Sequence, residues 1–150
     1  MMFPTDGVET YFWDDQSGPR RKVSGIFSKD DLDKLMTRRT ERKDLLSIAI
    51  DDKITDRYYQ KAAIRAVCEH TQKGIRKHLL VMATGTGKTR TASSLTDVLS
   101  RGKWVTNILF LADRTALVKQ AKDDFKKYLP DMTLCNLCTN KDDRNARIVF

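Results

Sequence analysis

The chain has 150 residues, 40% of them hydrophobic and 32% charged, with 7 Gly and 3 Pro. That is the size of one ordinary domain, and it excludes collagen-like, low-complexity and wholly disordered chains. The net charge of +8 is placed unevenly: residues 1–50 are neutral, while 51–100 and 101–150 each carry +4, so the last two thirds favours a polyanionic partner, nucleic acid being the commonest. No apolar run approaches the roughly 20 residues of a membrane-spanning helix, and Met1 to Gly7 has no basic stretch leading into an apolar one, so neither membrane nor secretory signal is expected. Three cysteines cannot form a complete disulfide framework and read as reduced thiols of a cytoplasmic protein.

Tyr11-Phe12-Trp13, followed by the polar stretch Asp14 to Pro19, reads as a strand end and a turn, with Val23 to Phe27 as a second extended piece. Ser28 is an N-cap for a helix over about 29–39, with Asp30 and Asp31 in its first turn and Leu32, Leu35 and Met36 on one face. Leu45 to Ile50 fits helix or strand equally. Asp56 is placed to cap a helix over about 57–73, with Tyr59, Ala63, Ala66 and Val67 at helical spacing and Gly74 ending it. Leu79 to Met82 then reads as a buried strand, Thr84 to Lys88 as a Gly-rich turn, and Thr89 to about Ser100 as a helix closed by Gly102. Val105 to Leu111 is a second strand, followed by a helix over 115–128 with Leu117, Ala121, Phe125 and Leu129 on one side and Pro130 as its stop. Met132 to Leu134 and Arg147 to Phe150 supply further strands. Alternation of strand and helix implies an α/β fold with a parallel sheet flanked by helices.

The most specific feature is Thr84-Gly85-Thr86-Gly87-Lys88-Thr89. A phosphate chain must be approached by main-chain N–H groups, and Gly85 and Gly87 remove the Cβ atoms in the way while permitting positive φ. The loop feeds a helix N-terminus, whose free N–H groups and dipole favour an anion. Lys88 can reach β- and γ-phosphates, and the Thr89 hydroxyl can ligate Mg²⁺. Position 82 holds Met where the general G-x-x-x-x-G-K-[ST] pattern has Gly. The remaining five fixed residues occur by chance on the order of once in ten thousand such chains.

The T-G-x-G-K-T form resembles motif I of superfamily 2 helicases and translocases, and two other segments fit that family in order. Arg57-Tyr58-Tyr59-Gln60 resembles its R-x-Y-Q element, in which Gln reads the adenine edge, its amide both donating and accepting. Leu109 to Gln120, with Arg114, Thr115, Leu117 and Gln120, resembles motif Ia, which in the family touches the phosphate backbone of nucleic acid. The phrases Leu80 to Thr91 and Ile108 to Gln120 resemble the motor (R) subunit of type I restriction endonucleases, as does the entry stretch with Gly7, Glu9, Trp13 and Asp14.

The resemblance implies a partial RecA-like P-loop domain over 51–150, preceded by a short irregular α+β entry segment over 1–50. It implies ATP held by Arg57, Tyr59, Gln60 and Thr84 to Thr89, with Lys88 and Thr89 as the catalytic pair and Thr89 as the protein ligand to Mg²⁺. It implies double-stranded DNA gripped by Arg114, Thr115 and Gln120, with specificity and modification subunits as partners. An acidic motif of the D-E-x-H kind and a D…E-x-K nuclease site, which the family also uses, are absent. Asp123-Asp124 and Asp142-Asp143 follow no apolar strand, and Asp51-Asp52 comes too early in the chain. The 150 residues therefore read as a truncated piece of a DNA translocase, catalytically incomplete by itself. The alternatives are a piece of a repair or replication helicase, a non-catalytic nucleotide- or DNA-binding module, and a small P-loop kinase. Cys135-x-x-Cys138 offers only two of the four ligands zinc wants and reads as ordinary thiols; His70 and His78 read as surface residues.

Overall fold

The computed structural model describes residues 1–14, 19–139 and 145–150, without the side chain of Arg38. Residues 15–18 of the expected first turn and Asp142-Asp143 lie outside it. An antiparallel pair, β1 (Thr10–Phe12) and β2 (Arg21–Val23), opens the chain, β2 starting two residues before the expected extended piece and overlapping it only at Val23. The rings of Phe3, Phe12 and Phe27 pack together at 4.9–5.2 Å between centroids. Helix α1 (Lys29–Glu41) follows, and the Ser28 hydroxyl accepts from the Asp31 N–H as an N-cap should. The Arg39 guanidinium pairs with the buried Asp14 carboxylate and so ties α1 to the hairpin.

Leu45 to Ile50 is neither helix nor strand. It is a run of turns that wraps the C-terminal end of α3 (Lys88–Arg101) and contributes Leu45 and Ile48 to a core shared with Ile64, Cys68 and Val98. Helix α2 (Tyr58–Gln72) begins with Arg57 rather than Asp56 as its N-cap, with no side-chain cap. The Arg57 carbonyl accepts the first helical bond, from Lys61, which leaves Asp56 outside the turn it was expected to cap. The buried positions of α2 are Gln60, Ile64, Val67 and Cys68; Ala63 is half-buried and Ala66 faces water. Gly74 ends the helix at φ +84°.

The sheet is small. β3 (Ile108–Leu109), β4 (Leu134–Cys135) and β5 (Ile148–Val149) are parallel in the order β3-β5-β4, with Ile148 opposite both Ile108 and Leu134. Leu79 to Met82 has no regular secondary structure and joins none of these strands; Leu79 and Val81 are 86% and 89% exposed. The expectation of a buried strand there fails because no described strand neighbours it, and a short apolar run without cross-strand partners has nothing to be buried against. Helix α4 (Thr115–Tyr128) covers the sheet with Val118, Ala121 and Phe125, and Leu129 caps it. Leu117, expected on that face, is 45% exposed, one residue off the buried stripe. Phe110, Phe125 and Phe150 form a ring cluster at 5.3–5.7 Å between centroids, joined by Ile54 and Ile148.

Helix α3 lies against both α2 and α4. Its buried side chains are small and mostly hydroxylated: Thr91, Ser93, Ser94, Thr96, Val98 and Ser100. Thr91 and Ser93 return their hydroxyls to the carbonyls four residues back, which satisfies them inside the helix. Among the described residues no helix is long and apolar enough to cross a membrane.

Candidate phosphate-binding site

The loop between the extended run and α3 turns on two left-handed glycines, Gly85 at φ +78° and Gly87 at φ +85°. Gly87 is the N-cap of α3, so the first N–H groups of a 14-residue helix open directly onto the loop. The Thr86 hydroxyl donates to the Ala83 carbonyl at 2.7 Å and closes the turn. Lys88 folds its ammonium back onto the same loop, donating to the carbonyls of Met82 at 3.1 Å and Ala83 at 3.0 Å. Both contacts are exposed, so an incoming phosphate competes for a lysine already at the loop. Thr89 is half-buried in the first turn of α3.

The Arg-Tyr-Tyr-Gln element meets this loop. Two side chains of α2 converge on one carbonyl: the Tyr59 hydroxyl donates to Thr86 O at 3.1 Å, and Gln60 Nε2 donates to the same oxygen at 2.8 Å. Arg57 in turn donates to the Tyr59 hydroxyl at 2.8 Å. Gln60 is 0% exposed, and its Oε1 accepts from the equally buried Thr55 hydroxyl. The missing Cβ of Gly87 makes the approach possible, since a Cβ there would stand 2.5 Å from Gln60 Nε2. The structure thus brings Arg57, Tyr59, Gln60, Thr86 and Gly87 into one contact set with Lys88 and Thr89 beside it. Thr84 and Gly85 form the exposed rim.

Arg114 and Thr115 stand at the exposed N-terminus of α4, and Gln120 is exposed further along it. Arg114 is the helix N-cap without a side-chain cap bond, and its ion pair with Asp113 is long, at 3.8 Å, between two exposed groups, a contact worth little in water. Its guanidinium is therefore available to an anion. The base of α4 is tied to α3 by Arg90, which donates to the Tyr128 hydroxyl at 3.1 Å and lies over its ring at 5.4 Å.

Thr55 was not singled out by the sequence. It belongs to no motif, and only its burial beside Gln60 marks it. An open cleft of about 720 Å³ lined by Met2, Phe3, Pro4, Trp13 and Arg20 lies in the N-terminal segment. Cys135 is buried in β4 and Cys138 is exposed, neither in a disulfide. Burial pushes the Cys68 thiol above its ordinary value. No cluster of three metal-ligating side chains exists among the described residues. His70 and His78 are exposed and stack at 6.3 Å, as expected for surface residues. Asp51 and Asp52 serve local needs, Asp51 accepting from the Lys53 N–H and Asp52 pairing with Lys61.

Residues 53–150 match a family model described as type III restriction enzyme, res subunit. The chain belongs to this family. The res-subunit match contains every residue of the loop, the Arg57 to Gln60 element and the start of α4. The type I restriction enzyme EcoAI endonuclease subunit of Escherichia coli is 49% identical over 78 residues, 51% of this chain and 10% of that protein. The type I restriction enzyme EcoKI endonuclease subunit of Escherichia coli strain K12 is 49% identical over 70 residues, 47% of this chain and 6% of that protein. The chain spans a tenth or less of the length of these curated relatives. The resemblance to superfamily 2 helicase-type restriction subunits is therefore borne out. No solved structure matches the chain.

Proposed function

We propose that the chain supplies the ATP-binding part of a DNA-dependent translocase in a type I restriction endonuclease. The observation that carries this reading is the assembly at one loop: two left-handed glycines and Lys88 and Thr89 opening α3, with Tyr59 and Gln60 holding the Thr86 carbonyl. Free N–H groups at a helix start, a lysine and two glycines make an oxyanion cradle suited to a triphosphate. Lys88 exchanges its two main-chain carbonyls for phosphate oxygens. The Thr89 hydroxyl would be the chain's one hard oxygen ligand to a Mg²⁺ carried by the nucleotide. When bound, the ion neutralises phosphate charge. Arg57, Tyr59 and Gln60 brace the loop from α2, Gln60 from a fully buried position with its amide engaged by Thr86 and Thr55.

In this reading residues 51–150 belong to a RecA-like motor domain and 1–50 to its entry segment. Arg114, Thr115 and Gln120 grip the backbone of double-stranded DNA, which suits the basic charge of the last two thirds. The whole enzyme works in the cytoplasm with specificity and modification subunits. The 150 residues hold no Asp-Glu-x-His element. That favours, for this chain alone, binding without appreciable turnover.

Calorimetric titration of the purified chain with Mg-ATP tests the proposal. Binding is expected for the wild type and is expected to be lost in Lys88→Ala. Equal binding by both proteins would remove the loop from the site.

A further inference from the structure

We propose that Arg42, Lys43 and Lys103, gathered around Trp104 where α3 ends, form a contact for the phosphate backbone of double-stranded DNA. The inference rests on the DNA-binding reading above and adds a second contact to the one at Arg114 and Thr115. It begins with a backbone anomaly. Among the described residues Lys103 is the one non-glycine at positive φ, at +60°.

The end of α3 explains that conformation. The Trp104 N–H donates to the Leu99 carbonyl at 2.9 Å, and the Lys103 N–H to the Ser100 carbonyl at 3.1 Å. These two bonds close the helix as a Schellman motif, whose left-handed position falls at residue 103. Glycine usually takes that position, because a side chain there is strained. Here the glycine comes one residue earlier. Gly102 is kept by crowding, since a Cβ on it would stand 2.7 Å from Leu45 Cδ2 and 2.9 Å from Ile48 Cδ1. Nothing comparable calls for lysine at 103. The pull of the negative helix end on a cation is smaller than the left-handed cost. The Lys103 ammonium is in no ion pair among the described residues. A partner outside the chain accounts for the lysine.

The neighbours add charge. The Lys43 N–H donates to the Gly102 carbonyl at 3.0 Å, which sets the two lysines on adjoining stretches of backbone. The Trp104 indole N–H donates to the Lys43 carbonyl at 2.9 Å, and the Arg42 guanidinium lies 4.5 Å from the indole centroid. One ring thus holds both residues in place. Arg42, Lys43 and Lys103 are all exposed. Of the acids nearby, Asp97 is paired with Arg101, Asp44 accepts from Gln72 Nε2 and the Leu46 N–H, and Glu41 is exposed beside Arg42. Cations alone meet phosphates by charge and read no base, so duplex of any sequence suits them. The group lies at the far end of the 14-residue α3 from the phosphate loop, about 20 Å away, so DNA held here leaves that loop open.

Lys103→Gly separates strain from function. It is expected to raise the thermal midpoint of the 150-residue chain, because glycine relieves the left-handed backbone. It is expected at the same time to weaken binding of a fluorescein-labelled duplex, read by anisotropy, by about threefold or more, and to lower the salt slope by about one. Lys43→Gln should weaken binding likewise, and Lys103→Arg should stay near wild type on both readouts. Unchanged affinity in Lys103→Gly or Lys43→Gln overturns the proposal, as does a lower midpoint in Lys103→Gly. A wild-type chain that binds no duplex overturns it too. So does displacement of the duplex by polyglutamate at equal charge concentration, which would point to an acidic protein instead. Loss of binding in Arg114→Ala, with none in Lys103→Gly and Lys43→Gln, refutes this contact and leaves the earlier DNA reading in place.

Discussion

Gly85 and Gly87 share a left-handed backbone, at φ +78° and +85°, but not an environment. A Cβ on Gly85 would meet nothing within 4 Å, whereas on Gly87 it would meet Gln60 Nε2 at 2.5 Å. Alanine at either position carries the left-handed cost, about 1–2 kcal/mol. Only Gly87→Ala should also push the Gln60 amide off the Thr86 carbonyl. Urea unfolding should therefore show a larger loss for Gly87→Ala than for Gly85→Ala, and equal losses would mean that the Gln60 contact contributes nothing to the fold. The left-handed turn at Gly85 and Gly87 and the helix start at Lys88 were legible in the sequence because they are set by neighbours along the chain. Thr55 was not legible: its role is a hydroxyl meeting an amide across a tertiary contact, and a lone threonine in a polar stretch carries no periodic or spacing signal.

At the scale of elements, the four helices were placed to within two residues at each end, but their caps were not all read. Ser28 caps α1 as expected. The start of α2 has no side-chain cap and is braced by Tyr59 and Gln60 on the loop, so Asp56 misled. The 3.6-residue period located α4 and its buried Ala121, Phe125 and Leu129; only Leu117 was misplaced, because Leu117 and Val118 are both apolar and packing alone chooses between them. Leu45 to Ile50 was ambiguous in sequence because its burial comes from wrapping α3, with the Trp104 indole donating to the Lys43 carbonyl at 2.9 Å and Arg101 to the Ala49 carbonyl at 2.6 Å. Gly102 is where that wrap passes closest. Its φ of −75° suits any residue, so alanine there would ordinarily stabilise by about 0.4–1 kcal/mol through the unfolded chain. A Cβ would, however, stand 2.7 Å from Leu45 Cδ2, 2.9 Å from Ile48 Cδ1 and 3.1 Å from Trp104 Cδ1. Overpacking of that kind costs about 1–3 kcal/mol, so Gly102→Ala should lower the thermal midpoint. A rise would show that the wrap yields easily and is not part of the packed core.

At the scale of the whole molecule, apolar residues among those described gather in three small groups: the Phe3, Phe12 and Phe27 rings, the Leu45 to Val98 group between α2 and α3, and the Phe125 group between α4 and the sheet. Ile54 belongs to the last of these, and Thr55 beside it bonds Gln60, which reaches the loop at Thr86. The loop is thus anchored by Tyr59 and Gln60 of α2, with Gln60 held in turn by Thr55. The alternation of strand and helix made the α/β class legible, while the isolation of Leu79 to Met82 was not, since strand order is a property of the assembled sheet. The most direct measurement is hydrogen exchange along the backbone with and without Mg-ATP, read residue by residue. Slower exchange confined to residues 84–90 and 57–60 is the expected result. Unchanged exchange at 84–90, or protection appearing instead at the Met2 to Arg20 cleft, would contradict nucleotide binding by this loop.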